Sequence, residues 1–232
     1  MKEKSIGVFL VGLSCVFPSA CGSPTGPSGP STLLSVNVVD PQDINAVSTF
    51  NSCVGHAYPQ TNSPNSAKNY FWPNSTNFST IDRLREYAAC AGTTAQTPAD
   101  LSPNEFDRGQ TLHLNCDGSS TTLRYFHLNF DPGLVGHHVN AGDFMGYAAL
   151  LGTGQTPYGS WQFSGNFDIA VSEQDDSRTE NYFARLDATA FAAWAARGLT
   201  SISQTINAGN PTCSSYSSNV GDPGIFVFTP AR

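Results

Sequence analysis

A period of two constrains this chain more than any other feature of its sequence. Thr111-Leu112-His113-Leu114-Asn115, Leu123-Arg124-Tyr125-Phe126-His127-Leu128-Asn129-Phe130 and Asn166-Phe167-Asp168-Ile169-Ala170-Val171 each alternate apolar with polar or small residues. Successive strand residues point to opposite faces, so runs of this kind mark strands. Gly, Asn and Asp turns separate them, the pattern of an all-β domain. Parity then sorts the side chains. Phe126, Leu128 and Phe130 share one face of the second run, and Tyr125, His127 and Asn129 share the other. Phe167, Ile169 and Val171 leave Asn166 and Asp168 opposite, and Leu112 and Leu114 leave His113 on a polar face. That polar face is either a groove, with His113 and Tyr125 among its lining, or a solvated sheet surface. Periodicity leaves both open. One segment departs from the pattern. In residues 187–197, Phe191, Trp194 and Ala195 fall at i, i+3 and i+4 and Gly198 follows, which predicts an amphipathic helix with a glycine stop and its aromatics packed on the sheet.

The N-terminus reads as an address. Met1-Lys2-Glu3-Lys4 gives a basic start, and residues 6–16 are an apolar run too short to span a bilayer, with the length of a signal-peptide core. Pro18-Ser19-Ala20-Cys21 places small residues before a cysteine, and a Gly/Pro/Ser stretch follows. This resembles a bacterial lipoprotein signal, with cleavage before Cys21 and lipid on its thiol. The expected organisation is a signal peptide over 1–20, a tether over 21–37 and one β domain with a helix and a C-terminal extension over 38–232. Charged residues are only 12% of the chain, the net charge is −7, and no Lys/Arg cluster occurs, which argues against nucleic acid as a partner. The expected location is the bacterial cell envelope, periplasm or cell surface, with membrane attachment through the lipid.

Cysteine usage points to the same compartment. With Cys15 in the signal and Cys21 lipidated, Cys53, Cys90, Cys116 and Cys213 remain, enough for two disulfides in any of three connectivities. None of the four forms a Cys-x-x-Cys pair, so a zinc ribbon is not indicated.

The order of these pieces resembles the M23 (lysostaphin/LytM-type) zinc peptidases. Tyr87-Ala88-Ala89-Cys90-Ala91-Gly92-Thr93-Thr94 looks like the family's strand–Gly–strand opening, and Tyr125-Phe126-His127-Leu128 its Tyr-x-His-Leu strand. Residues 133–147 resemble its hairpin, in which Gly-x-x-Val-x-Ala-Gly-x-x-x-Gly recurs, and residues 166–171 fall where the family has His-x-His. The resemblance implies an antiparallel β-sandwich or barrel-sandwich (a duplicated hybrid motif) with a groove, here with one added helix near the C-terminus. It also implies peptidoglycan cross-bridges as substrate.

An M23-type site needs three protein ligands on zinc, an open position for water and a proton acceptor. The resemblance assigns His56 to the first ligand position, but four residues on stands Gln60, a neutral residue. Asp168 takes the second metal-histidine position. Asn166 takes the position of the general base, and an amide exchanges no proton near neutral pH. His127 keeps the position that steadies the oxyanion. His137 and His138, adjacent in the hairpin, are expected at the solvent-exposed surface, and Asp131 and Asp143 to shape turns. The reading is a degenerate, non-catalytic M23-like domain that needs no cofactor and binds peptidoglycan, a peptide or an envelope protein. Against it stand an active zinc endopeptidase with a rearranged site, using His56, Asp168 and His113 or His127, and a purely structural envelope lipoprotein.

Overall fold

The computed structural model describes residues 33–56, 66–74, 84–97, 100, 110–150, 153–156, 159–162, 165–173, 178–207, 213, 215–216, 220 and 222–230. The signal, Cys21, the tether up to residue 32 and Gln60 lie outside them. The strands are β1 (Ile44–Ser48), β2 (Asn69–Pro73), β3 (Arg85–Tyr87), β4 (Gly92–Ala95), β5 (Gln110–Cys116), β6 (Thr121–Asn129), β7 (His138–Val139), β8 (Phe144–Ala148), β9 (Thr153–Thr156), β10 (Gly159–Gln162), β11 (Phe167–Glu173), β12 (Thr179–Glu180) and β13 (Ile225–Val227). Two helices, α1 (Tyr182–Arg185) and α2 (Ala188–Ala195), precede the last strand. Among the described residues, eleven strands form one antiparallel sheet whose main path runs β13-β1-β2-β11-β6-β5-β4-β7, and β9 and β10 form a separate ribbon. The expected mainly antiparallel β fold with one principal helix near the C-terminus is what is found.

The three alternating runs are β5, β6 and β11, adjacent in the sheet. Their register pairs Ile169 with Tyr125 and Val171 with Leu123, so these side chains share the face that meets the main core. Trp194 of α2 is fully buried there, against Phe183 and Phe228 at 5.3 and 5.1 Å between ring centres, and its indole N–H donates to Asn37 at 2.6 Å. The helix ends as its sequence predicts. Asp187 accepts a hydrogen bond from the Ala190 amide at its start, and Gly198 takes φ +96° just past its end.

Two expectations of local pairing need correction. The strand–Gly–strand segment is present as β3 and β4, yet these do not pair with each other, and neither do β7 and β8 of the expected hairpin. Instead β3 pairs with β8 and β4 with β7. The turn between β7 and β8 explains the exchange. Its Gly142 amide donates to the Ala88 carbonyl and its Asp143 carbonyl accepts from the Ala88 amide, so the turn is bonded to the β3–β4 connection rather than closing a two-strand ladder.

Of the three connectivities left open by the sequence, the structure forms Cys53–Cys213 and Cys90–Cys116. Such bonds belong to an oxidising compartment outside the cytosol. The C-terminal extension adds β13 along the outer side of β1, giving that strand a partner on each side.

Candidate functional site

The site is built where β2, β11 and β6 lie side by side. Asp168 of β11 sits opposite Tyr70 of β2 and Phe126 of β6 in the ladder, so all three project from the face away from the main core. Lys68, two residues before Tyr70, joins them. Parity also predicted Asp168 on this face, opposite Phe167, Ile169 and Val171, and those three do lie in the core.

His127 reaches the same face by a local break in the strand. Against β5, Gln110 pairs with Leu128 and Leu112 with Tyr125, so β6 carries one extra residue there, a β-bulge. His127 itself adopts φ +59°, in the left-handed region that non-glycine residues seldom occupy. Its backbone is held by the Ala149 amide, which donates to the His127 carbonyl at 2.7 Å. Backbone strain of this kind costs of order 1–3 kcal/mol and gathers at functional sites. The bulge also overturns the simple alternation. Phe126 turns toward Asp168 instead of joining Leu128. Tyr125, expected in the groove, is fully buried in the main core, where its hydroxyl donates to the Tyr87 carbonyl at 3.0 Å and accepts from the Ala89 amide.

Four polar side chains form a chain of contacts. The Lys68 ammonium makes an ion pair with Asp168, at 3% and 0% side-chain exposure. His56 Nε2 lies 3.3 Å from the Lys68 nitrogen on the solvent side, and His127 Nε2 lies 3.1 Å from the other Asp168 oxygen. Aromatic faces lie beside the ammonium. The ammonium stands 4.0 Å from the Phe126 ring centre and 5.3 Å from that of Tyr70, and the His56 ring meets Tyr70 edge to face. Burial works to raise the Asp168 pKa, but Lys68 and His127 outweigh it and hold the carboxyl well below the usual range. The expected polar groove is therefore largely closed at its centre. Small apolar clusters, one of Ala46, Val54, Tyr70 and Trp72 and one of Phe50, Ala67 and Ala170, cover this face beside Asp168. His56 is exposed and His127 partly so, and they mark where the cluster meets solvent.

The residues singled out by sequence fall into two groups. His56, His127 and Asp168 come together as described, and Asn166 is buried just before β11. His113 is buried on β5 and pairs with Asp100 at 3.1 Å, opposite Arg124 in the ladder. His137 and His138 are exposed, His138 facing Asp117 at 2.8 Å. Asp131 and Asp143 cap turns, accepting from the Gly133 and Asn140 amides. Two participants were missed. Lys68 had a signal, because the chain contains only Lys2, Lys4 and Lys68, and this last one enters the apolar run Tyr70-Phe71-Trp72. Glu86 of β3 gave none.

Glu86 is fully buried, and neither of its carboxyl oxygens has a hydrogen-bond partner among the described residues. Burial, and then the negative charge of Asp168, push its pKa well above the ordinary value of 4.5. A carboxyl whose pKa is raised on folding binds more protons in the folded state, so its contribution to stability is lost as pH rises above that ordinary value. Glu86→Gln removes this loss. Urea denaturation at about pH 5 and about pH 8 will show the variant gaining on the parent as pH rises, by at most about 1.4 kcal/mol per pH unit. Parallel stability–pH curves for the two proteins would refute the assignment.

A metal of the kind that M23-type sites hold does not fit these residues as they stand. A protonated amine offers no lone pair for coordination, and the Lys68 nitrogen stands between His56 and Asp168, the two side chains to which the resemblance assigned ligand positions. Among the described residues, no three His, Cys, Asp or Glu side chains are grouped to hold a metal ion.

No protein-family model matches the chain, and no curated protein matches it. Solved structures do. Lysostaphin, the antimicrobial peptidase from Staphylococcus simulans, aligns with a TM-score of 0.43 and 14% identity over 69% of this chain and 56% of its own. A zinc-containing peptidase from Vibrio cholerae aligns at 0.42 and 14%, over 66% of this chain and 40% of that one. The SpoIIQ–SpoIIIAH pore-forming complex aligns at 0.41 and 13%, over 68% and 92%. The chain thus spans about half the length of lysostaphin and less of the Vibrio protein. These likenesses concern the fold.

Proposed function

We propose that this chain is an exported, lipid-anchored cell-envelope protein whose M23-peptidase-like β domain has no hydrolytic activity and binds peptidoglycan, a peptide or an envelope protein. The observation that carries the reading is the state of Asp168. It is wholly buried, and its two oxygens face Lys68 and His127. A carboxylate so engaged is not open to a water nucleophile, and Asn166, at the position of the general base, accepts no proton near neutral pH. Exposed His56 and partly exposed His127 give the domain a polar rim at which a ligand can be received without chemistry.

The full chain, purified in detergent without chelator from zinc-supplemented cells, is expected to carry far less than one zinc per chain. It should sediment with purified peptidoglycan and release no soluble fragments from it. About one zinc per chain, lost in His56→Ala, together with fragment release, would establish the active endopeptidase instead. Lipid anchoring has its own test. Cys21→Ala should abolish incorporation of radiolabelled fatty acid and move the protein from the membrane to the soluble fraction.

A further inference from the structure

We propose that the outer face of the β3–β8 pair is the surface on which this domain rests against the bilayer that carries its anchor. The inference depends on the lipid anchoring proposed above, and it goes further by naming the face of the fold that meets the headgroups. The ladder sets that face. Arg85 pairs with Tyr147 and Tyr87 with Phe144, with an irregularity between Glu86 and Tyr87. Glu86 and Met145 are buried, whereas Arg85 and Phe144 are exposed and Tyr87 and Tyr147 partly so. Three rings and one cation therefore meet solvent together. Phe144 lies 4.9 Å from Tyr147 and 6.5 Å from Tyr87 between ring centres, edge to face in both cases. The Arg85 guanidinium stands 4.7 Å from the Phe144 ring centre and has no carboxylate partner among the described residues. Asp143, next in sequence, is turned to the Asn140 amide. Rings with polar tips beside a cation suit the headgroup layer, where phenols straddle water and hydrocarbon and a guanidinium meets phosphate.

The point at which the chain enters the fold selects a bilayer over other apolar partners. The described residues begin at Leu33, which is 55% exposed. The Ser35 and Val36 amides then donate to the Ala89 carbonyl, and the Val38 carbonyl accepts from the Tyr87 amide, so the entering segment runs along β3. Val36 faces Gly142, two residues before Phe144. Only eleven residues, all Gly, Pro, Ser or Thr, separate Cys21 from Leu33. At full extension they reach about 40 Å. An anchor on Cys21 therefore holds this face near the bilayer at an effective concentration on the order of millimolar, at which a contact too weak to capture a free protein is well populated. The net charge of −7 gives the rest of the surface no comparable attraction to anionic headgroups.

The test is hydroxyl-radical footprinting of the full, lipidated chain on nanodiscs of phosphatidylethanolamine and phosphatidylglycerol. Each protein is compared with its own Cys21→Ala form free in solution. Phe144, Tyr147 and Tyr87 are expected to be labelled several-fold more slowly on the bilayer, and exposed Tyr216 at the same rate in both. Arg85→Glu with Phe144→Ser should stay anchored yet lose the protection of Tyr147 and Tyr87. If that pair does not fold, Arg85→Glu alone is expected to reduce the protection. An anchored parent labelled as fast as its free form overturns the inference and leaves the anchoring intact, whereas a parent with no fatty acid on Cys21 overturns both. Protection that appears only with added peptidoglycan, or that grows with protein concentration, would assign the face to a glycan or to a second copy and refute the bilayer as its occupant.

Discussion

Asp168→Ala will lower folding stability by about 3–5 kcal/mol, the usual consequence of removing one partner from a buried ion pair. The loss comes less from the attraction given up than from the Lys68 ammonium left at 3% exposure beside aromatic rings without its carboxylate counter-charge. A double variant, Lys68→Met with Asp168→Ala, removes both charges and keeps an unbranched apolar side chain against Phe126. It is expected to recover most of the loss, because replacing a buried pair by apolar groups is often close to neutral. Urea denaturation followed by circular dichroism measures all three proteins, and a double variant no more stable than Asp168→Ala would show that the ion pair is not the source of the effect. The pH response has a definite sign. The Asp168 pKa is depressed in the folded state, so its contribution is present above the ordinary carboxyl pKa of 3.8 and fades as pH falls below it. Glu86 acts in the opposite direction, its contribution being lost as pH rises above the ordinary 4.5.

The second large effect is expected at Cys53–Cys213. This bond spans 160 residues of sequence, against 26 for Cys90–Cys116. On a loop-entropy account the longer loop is worth about 5 kcal/mol and the shorter about 3.5. Cys53→Ala with Cys213→Ala should therefore destabilise the protein more than the corresponding Cys90 and Cys116 pair, as read from midpoints in denaturant. The position of the bond adds a second consequence. Cys53 lies three residues before His56, and Ser52 and Thr49 on the same limb pack against Gly224 of the C-terminal segment, so the bond ties that segment to the chain that carries His56. The variant should loosen His56, seen as faster amide hydrogen exchange around it, while the exchange of His127, anchored on β6, should be unchanged. Equal losses for the two disulfide variants would mean that structure retained in the unfolded chain, not loop length, governs them.

How much of this was legible in the sequence follows from what each signal measures. The strands β5, β6 and β11 and the helix α2 were readable because their faces differ in polarity, and that difference survives in the sequence as a period. Asp168 was placed on the correct face for the same reason. Tyr125 was not, because a single inserted residue at His127 inverts parity for everything on one side of it, and no composition marks a bulge whose left-handed residue is histidine rather than glycine. The crosswise pairing of β3 with β8 and β4 with β7 was equally hidden, since it depends on backbone groups of a turn that bond to Ala88, and backbone groups carry no sequence. Glu86 was invisible because an Arg-Glu pair in a three-residue strand looks like surface. Lys68 was the reverse case. Its rarity was on view throughout, in a chain whose other lysines both fall within the first four residues, but a search for ligands looks for lone pairs and passes over an ammonium.

The position of β1 in the sheet has a consequence for the route to the folded state. It lies between β2 and β13, and β13 comes from the last residues described. Its outer hydrogen bonds join strands far apart in sequence, and ladders that close such long loops form late and slowly. Until then β1 presents Ala46, Val47 and Ser48 as an unpaired edge, which other strands can join. A chain shortened ahead of Ile225 would keep that edge permanently. Docking of β13 is thus the step that takes this edge out of reach of other chains.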